Sequence, residues 1–509
     1  MKRKCGVLLP VASLPSRYGI GSFSKEAYEF VDFLSEAGQS YWQILPLGQT
    51  GYGDSPYQSF STFAGNPYFI DLEELIKAGY LTREQADAVD FGDNPDKIIY
   101  EKIYRGRFPL LNKAYHNSPF AEHPEGKWAG SEYDEQRDEF EEFREKNTQW
   151  LPDYALYSAV KNQYGGKSYI EWDEEIRLRE KGAMEEARRT LSDEIRFYEF
   201  QQFLFATQWA KLKQYANEKG IQIIGDIPIY IAFDSADTWS HNELFQLDEK
   251  GYPIDVAGCP PDGFSATGQL WGNPLYRWDY HKETGYAWWI ARMKNVFNQC
   301  DVVRIDHFRG FDSYYAVPYG ETTAIHGEWR QGPGIEFFRT INKTLGKKEI
   351  IAEDLGFITP SVRKLVKQSG YPNMKVLQFA FDSRDPGTND YLPHNYTKNC
   401  VVYTGTHDNE TMRGWYDHAP RKDKKYAKDY IGVRSEKTAA WSFIRAAMMS
   451  IANTCIIPMQ DYLNLGDEAR INTPSTLGGN WDWRMRKEAL TREDLAYEMK
   501  KMATIYGRR

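Results

Sequence analysis

Short apolar runs, broken by polar, small and proline residues, recur along the chain, and helical stripes fill many of the spaces between them. Eight runs read as β-strands: residues 6–12, 41–47, 221–231, 301–306, 349–353, 375–381, 400–406 and 454–461. Several are apolar at consecutive positions, as in Ile350-Ile351-Ala352, Val401-Val402-Tyr403 and Cys455-Ile456-Ile457. Consecutive rather than alternate burial is expected of parallel strands covered on both faces. After the first run, Ala27, Phe30, Val31 and Leu34 fall at i, i+3, i+4 and i+7, with Ser24 placed to cap and Gly38 to terminate. After the fifth, Thr359-Pro360 opens a helix, Val362, Leu365 and Val366 form its stripe, and Gly370 ends it. Eightfold strand–helix alternation predicts an α/β chain folded as a (β/α)8 TIM barrel.

The chain, 1–509, reads as one barrel domain with insertions. Residues 48–220 are too many for a single crossover. Charge-dense helical patterns at 134–145 and 174–199 predict a mostly helical insertion at about 75–200, between strands two and three. A second insertion, about 234–278, follows strand three, and a smaller one is expected around 318–334. No internal repeat and no low-complexity tract interrupts this pattern.

Composition narrows the function classes. With 41% hydrophobic, 15% aromatic and 27% charged residues, the 509-residue chain is globular rather than disordered. A net charge of −9 without a basic block argues against nucleic acid as a partner, and the lysine-rich 421–428 stretch, broken by Asp423, reads as a solvated face. The uncharged stretch 446–460 contains Asn453 and Pro458 and falls short of the ~20 apolar residues of a membrane span, so no membrane association is expected. Met1-Lys2-Arg3-Lys4 and the apolar residues after it imitate a leader, but Pro10 cuts the run short and the segment reads as a first strand. The five cysteines are widely spaced and form no Cys-x-x-Cys, which fits a reducing, cytoplasmic setting. The oligomeric state is left open.

In a parallel barrel, reactive groups sit at the C-terminal ends of strands. Three acids occupy such ends: Asp306, Glu353 and Asp408, after strands four, five and seven. A lone acid there often caps the following helix, but three together point to one mouth. Two carboxyls flanking one bond suit glycoside chemistry, where one attacks the anomeric carbon and the other, kept protonated, donates to the leaving oxygen; a separation of ~5–5.5 Å makes the reaction retaining. Arg304, two residues before Asp306, shares its strand face and would hold it charged.

Four boxes carry a family resemblance: Gly225-Asp226-Ile227-Pro228, Arg304-Ile305-Asp306-His307-Phe308-Arg309-Gly310, Ala352-Glu353-Asp354-Leu355-Gly356 and Thr406-His407-Asp408-Asn409. In sequence and order they resemble the four motif regions of the 4-α-glucanotransferases, the amylomaltases or disproportionating enzymes of the α-amylase clan of glycoside hydrolases. The resemblance extends from Leu14-Pro15-Ser16 and Asp54-Ser55-Pro56-Tyr57-Gln58 to Ala469-Arg470-Ile471-Asn472-Thr473-Pro474. It implies retaining transfer of an α-1,4-glucan segment to the 4-hydroxyl of glucose or a maltooligosaccharide, through a covalent glucosyl-enzyme. It further implies Asp306 as nucleophile, Glu353 as general acid/base and Asp408 as the acid gripping the 2- and 3-hydroxyls. Arg304 and His407 match residues around the −1 sugar, Asp226 a supporting aspartate, Tyr57 and Ser55 the acceptor side, and Asn472 a sugar contact. Residues 262–274 resemble the family's lid, with Asp262, Phe264 and Trp271 as its sugar contacts and Gly263, Gly268 and Gly272 for mobility; Tyr52 matches a remote glucan site. Ile471 stands where methionine is the more usual residue, a substitution of similar volume.

Competing readings are a hydrolase on the same site, a glucan-binding or regulatory protein without turnover, and a barrel hydrolase of phosphorylated or acidic substrates. The last lacks a glycine-rich phosphate site, since Gly165-Gly166-Lys167-Ser168 has Lys161 where the first glycine is required. No cofactor is implied, and no metal: the nine histidines form no zinc-spaced pair, and His307 and His407 serve as neutral hydrogen-bond partners.

Overall fold

The computed structural model describes residues 3–51, 53–261, 265–356, 358–433 and 435–509. Its strands are β1 (Lys4–Leu8), β2 (Tyr41–Gln43), β3 (Gln222–Pro228), β4 (Asp255–Cys259), β5 (Gln269–Pro274), β6 (Val302–Asp306), β7 (Ser313–Pro318), β8 (Glu328–Gln331), β9 (Ile350–Ala352), β10 (Asn373–Val376), β11 (Cys400–Tyr403) and β12 (Thr454–Pro458). Eight of them close a parallel barrel in the order β1-β12-β11-β10-β9-β6-β3-β2. All eight lie within or beside the apolar runs of the sequence, so the barrel expectation holds.

Period-two alternation sorts the side chains. One set, Leu8, Tyr41, Ile224, Val302, Ile351, Met374, Val376, Val401, Tyr403 and Ile456, forms a separate buried cluster drawn from all eight strands, the packed barrel interior. The opposite set, with Val7, Trp42, Ile223, Val303, Ile350, Val402 and Ile457, joins the main core beneath the surrounding helices. Those helices form where the stripes lie. Lys25–Glu36 buries Ala27, Phe30, Val31, Phe33 and Leu34. Pro360–Ser369 starts where the Thr359 side chain accepts from the Val362 amide and stops at Gly370, whose φ of 71° suits the left-handed C-cap.

Between β2 and β3 the chain is mainly helical, including Tyr100–His116, Asp134–Lys146, Leu151–Gln163 and the 27-residue Ser192–Glu218. Leu151, Tyr154, Tyr157, Trp172 and Tyr198 belong to a further buried cluster there, joined by Trp239 from beyond β3. Ser192–Glu218 is both partner and crossover: Tyr198 packs in that cluster, whereas Phe205 and Trp209 lie 5.2 Å from Phe23 in the main core.

Two features depart from the pattern. The strand expected at 375–381 is instead Asn373–Val376, and Leu377–Phe379 turns into a 3-10 helix although Leu377 is fully buried. The apolar run continues because those residues still pack inward, so hydrophobicity does not mark where the backbone leaves the sheet. Around 234–278 and 318–334 lies a four-stranded antiparallel sheet, β5-β4-β7-β8, which the apolar pattern did not reveal. Its edge strands are partly exposed: β8 reads Glu-Trp-Arg-Gln with no buried residue.

Candidate active site

Toward the C-terminal end of the barrel the inward positions change from apolar to charged: Val302, Arg304, Asp306 on β6; Ile224, Asp226 on β3; and Ile351 then Glu353 at the end of β9. Parallel register places Asp226 opposite Arg304 and Pro228 opposite Asp306. The Arg304 guanidinium therefore reaches both acids, donating from Nη1 to Asp226 Oδ2 at 2.6 Å and from Nη2 to Asp306 Oδ1 at 2.9 Å.

The loop after β2 delivers Tyr57. Its hydroxyl donates to Asp226 Oδ2 at 2.8 Å and lies 3.0 Å from His407 Nε2. The Tyr57 ring stacks on His407 with centroids 5.2 Å apart, and Trp481 flanks both at 5.9 Å. Ser55 accepts from the Tyr57 amide at 3.3 Å, a short turn that presents the tyrosine.

Asp408 stands on the loop after β11, clamped from the loop after β12. Asn472 Nδ2 donates to Asp408 Oδ1 at 2.6 Å, and Arg470 Nη2 to the Asp408 carbonyl at 2.9 Å. The Asn472 amide donates to the His407 carbonyl at 3.0 Å, joining the two loops again. The Asp408 side chain stays 41% exposed, open toward the mouth.

Glu353 is held differently. Its Oε2 accepts from the His307 amide at 2.6 Å and its Oε1 from the Leu355 amide at 2.8 Å. His307 has a φ of 51°, a left-handed conformation costing about 1–3 kcal/mol in a non-glycine residue. The hydrogen bond to Glu353 and the Gly310 amide on the His307 carbonyl, 3.0 Å, hold it there.

Electrostatics separate the two carboxyls. Burial, and then the negative charge of Asp306, push Glu353 up to about 8. Burial also raises Asp306, but Arg304 opposes that rise by direct contact. The proton of the pair therefore sits on Glu353, whose two amide donors lower it less than burial and Asp306 raise it, while Asp306 keeps its negative charge beside the guanidinium. Arg304 is held well above its ordinary value: burial works against its charge, but Asp226 and Asp306 outweigh it. Burial and then Arg309 push His307 down to about 3, leaving a neutral imidazole at the mouth.

Trp271 lies edge-on to His307, ring centroids 4.7 Å apart, with Tyr230 beside both. It sits on β5 rather than in an open loop, which corrects part of the lid expectation for 262–274. Two of the glycines of this segment also have local steric reasons. Gly268 closes a turn onto the Ser265 carbonyl with φ 71°, where a Cβ would lie 2.4 Å from the Cys259 carbonyl oxygen; Gly272 has φ 75° within β5. Asp262, Gly263 and Phe264, and Tyr52, lie outside the described residues.

The structure thus gathers Tyr57, Asp226, Arg304, Asp306, Glu353, His407, Asp408 and Asn472 around one mouth, with Ser55 behind Tyr57 and Trp271 at one side. Sequence reasoning missed Trp481 and the clamping role of Arg470. Among the described residues, Glu410, His418 and Asp467 bring three possible ligand atoms within 4.8 Å of one another. His418 Nδ1 lies 3.0 Å from Glu410 and 3.2 Å from Asp467, so this cluster ties the loop after β11 to the loop after β12.

Comparison with known proteins gives the family and bears out the barrel fold. A family model described as 4-alpha-glucanotransferase matches residues 9–491. The 4-alpha-glucanotransferase of Clostridium butyricum is 48% identical over 500 residues, spanning 98% of this chain and 99% of that protein. The one from Thermus thermophilus is 45% identical over 500 residues, 97% of each. Among solved structures, the amylomaltase from Streptococcus agalactiae in complex with acarbose matches with a TM-score of 0.94 at 42% identity, covering 100% of both chains.

Proposed function

This chain belongs to the 4-alpha-glucanotransferase family, and from that premise we propose how its own residues carry out the transfer. The enzyme moves an α-1,4-glucan segment from donor to acceptor with retention, through a covalent glucosyl-enzyme. Asp306 attacks the anomeric carbon of the −1 sugar while protonated Glu353 gives its proton to the departing glycosidic oxygen. The C–O bond to the leaving chain breaks as the β-linked ester to Asp306 forms, and the leaving chain departs with a free 4-hydroxyl. Glu353, now a carboxylate, takes the proton from an incoming 4-hydroxyl; that oxygen attacks the anomeric carbon and the Asp306 ester bond breaks.

The unequal environments of the two carboxyls carry this reading: Asp306 touches a guanidinium, and Glu353 accepts only from backbone amides. Asp408, oriented by Asn472 and Arg470, grips the 2- and 3-hydroxyls, contacts that strengthen as the ring flattens toward the oxocarbenium-like transition state. Arg304 and His407 line the −1 sugar, with Asp226 supporting Arg304 and Tyr57. Tyr57 and Ser55 form the acceptor side, where glucose or a maltooligosaccharide enters. Residues 262–274, with Asp262, Phe264 and Trp271, cover the intermediate and favour a sugar hydroxyl over water. The five cysteines without paired spacing suit a reducing, cytoplasmic setting. No helix among the described residues is long and apolar enough to cross a membrane.

Incubation of the purified enzyme with maltotriose tests the reading. Glucose together with a ladder of longer oligomers is expected. Rising reducing ends with no product longer than the substrate would contradict transfer.

A further inference from the structure

Away from the three acids, a cleft opens where the helix Leu151–Gln163 meets the helices Ala236–Ser240 and Ala287–Gln299. Its volume is about 290 Å³, at the lower end of small-molecule sites, which run from about 300 to 1,000 Å³. The walls are aromatic. Phe63 lies nearly parallel to Trp150 (centroids 6.2 Å apart, planes at 12°) and nearly perpendicular to Trp288 (6.2 Å, 85°). Both tryptophans are half-buried, and the Trp150 indole N–H is pinned to Asn147 Oδ1 at 3.0 Å.

The polar lining selects among ligands. No lysine or arginine lines the cleft among the described residues, which disfavours a phosphate or an acidic ligand. Its carboxylates already have partners: Asp153 pairs with Arg179 at 2.7 Å, Glu243 with His241 at 3.4 Å, and Asp237 accepts from the Thr62 amide at 2.8 Å. Arg179 balances Asp153, while Asp237 and Glu243 keep acceptor lone pairs that a ring of hydroxyls can use. Gln149, Ser240 and Thr284 add neutral polar groups at the wall.

Rigid aromatic faces beside acceptors and neutral polar groups match a pyranose, which offers C–H faces and a ring of hydroxyls. We propose that this cleft, around Trp150 and Trp288, is a further glucan-binding site, taking a maltosyl unit of a long α-1,4-glucan whose reactive end occupies the barrel mouth. Ser61 and Phe63 line both this cleft and a smaller cavity that includes Tyr57 and Asp226, so the two cavities share a wall. The inference takes its substrate class, and nothing else, from the function given above.

Calorimetric titration of the full-length Asp306→Asn protein with maltoheptaose tests it without turnover. Trp150→Ala and Thr284→Arg, each added to that protein, should remove one class of sites or weaken it at least tenfold. Thr284 is exposed, so its replacement fills the cleft without opening the core. In the otherwise unaltered enzyme the same two substitutions should leave maltotriose disproportionation within twofold and raise KM for amylose several-fold. Undiminished binding in both variants would overturn the site, as would displacement of maltoheptaose by tetramethylammonium. Because binding is read apart from catalysis, a parent enzyme unable to disproportionate maltotriose would count against the barrel mouth and not against the cleft.

Discussion

Replacing Asp306 by asparagine removes the nearest source of negative charge acting on Glu353, and the effect can be sized. At the ~5.5 Å separation general to retaining pairs, two carboxyls in an effective dielectric constant of about 20 interact by about 3 kcal/mol. At about 1.4 kcal/mol per tenfold change, that is about two pH units of proton affinity. Glu353 starts at about 8, raised first by burial and second by Asp306. In Asp306→Asn its midpoint should therefore drop by about two pH units and still stay above an ordinary glutamate, because burial is untouched. A carbon-detected NMR titration of labelled glutamate carboxyls, with the Glu353 signal assigned by its loss in Glu353→Gln, reads this directly. In the unaltered enzyme the acid form is the working one, so kcat/KM should fall as pH rises through about 8. A Glu353 midpoint that does not move in Asp306→Asn would refute the claim that the two carboxyls share one site.

Other expectations follow from the same geometry. Glu353→Gln should slow maltooligosaccharide donors far more than activated aryl glucosides, because only poor leaving groups need the proton; equal slowing would remove the acid role. Glu353→Gln should also gain thermal stability over the parent as pH rises from the unfolded value through about 8, since a carboxyl raised by burial is destabilising once ionised; the difference in Tm at pH 5 and pH 9 checks the sign. Asn472→Ala cuts a 2.6 Å hydrogen bond to the Asp408 carboxylate, and at about 1.5–3 kcal/mol for a charged partner kcat/KM should fall about 10- to 150-fold. Trp271→Ala should raise the share of hydrolysis over transfer from maltotriose, and an unchanged product ratio would take Trp271 out of water exclusion.

The eight barrel strands were legible because each is short, nearly all apolar and followed by a polar or small residue, as in Val401-Val402-Tyr403. The second sheet was not. β5 alternates between partly buried and exposed positions and carries Gly272 and Pro274, and β8 is open to solvent, so neither has an apolar signature. Within the site, Asp306 and Glu353 could be located because strand ends announce themselves. Trp481 could not, because its contact with Tyr57 and His407 joins three distant loops and no spacing along the chain records it. In the glycine-rich lid segment Gly268 is required by close backbone approach and Gly272 by its φ of 75°, requirements that composition does not distinguish from hinge freedom.

Trapping the covalent intermediate tests the central claim most directly. The Glu353→Gln enzyme, reacted with a 5-fluoroglucosyl fluoride and digested for peptide mass spectrometry, should carry one hexosyl adduct on the peptide containing Asp306. An adduct on Asp408 or Glu410, or no adduct from an enzyme whose products show inverted anomers, would contradict the account.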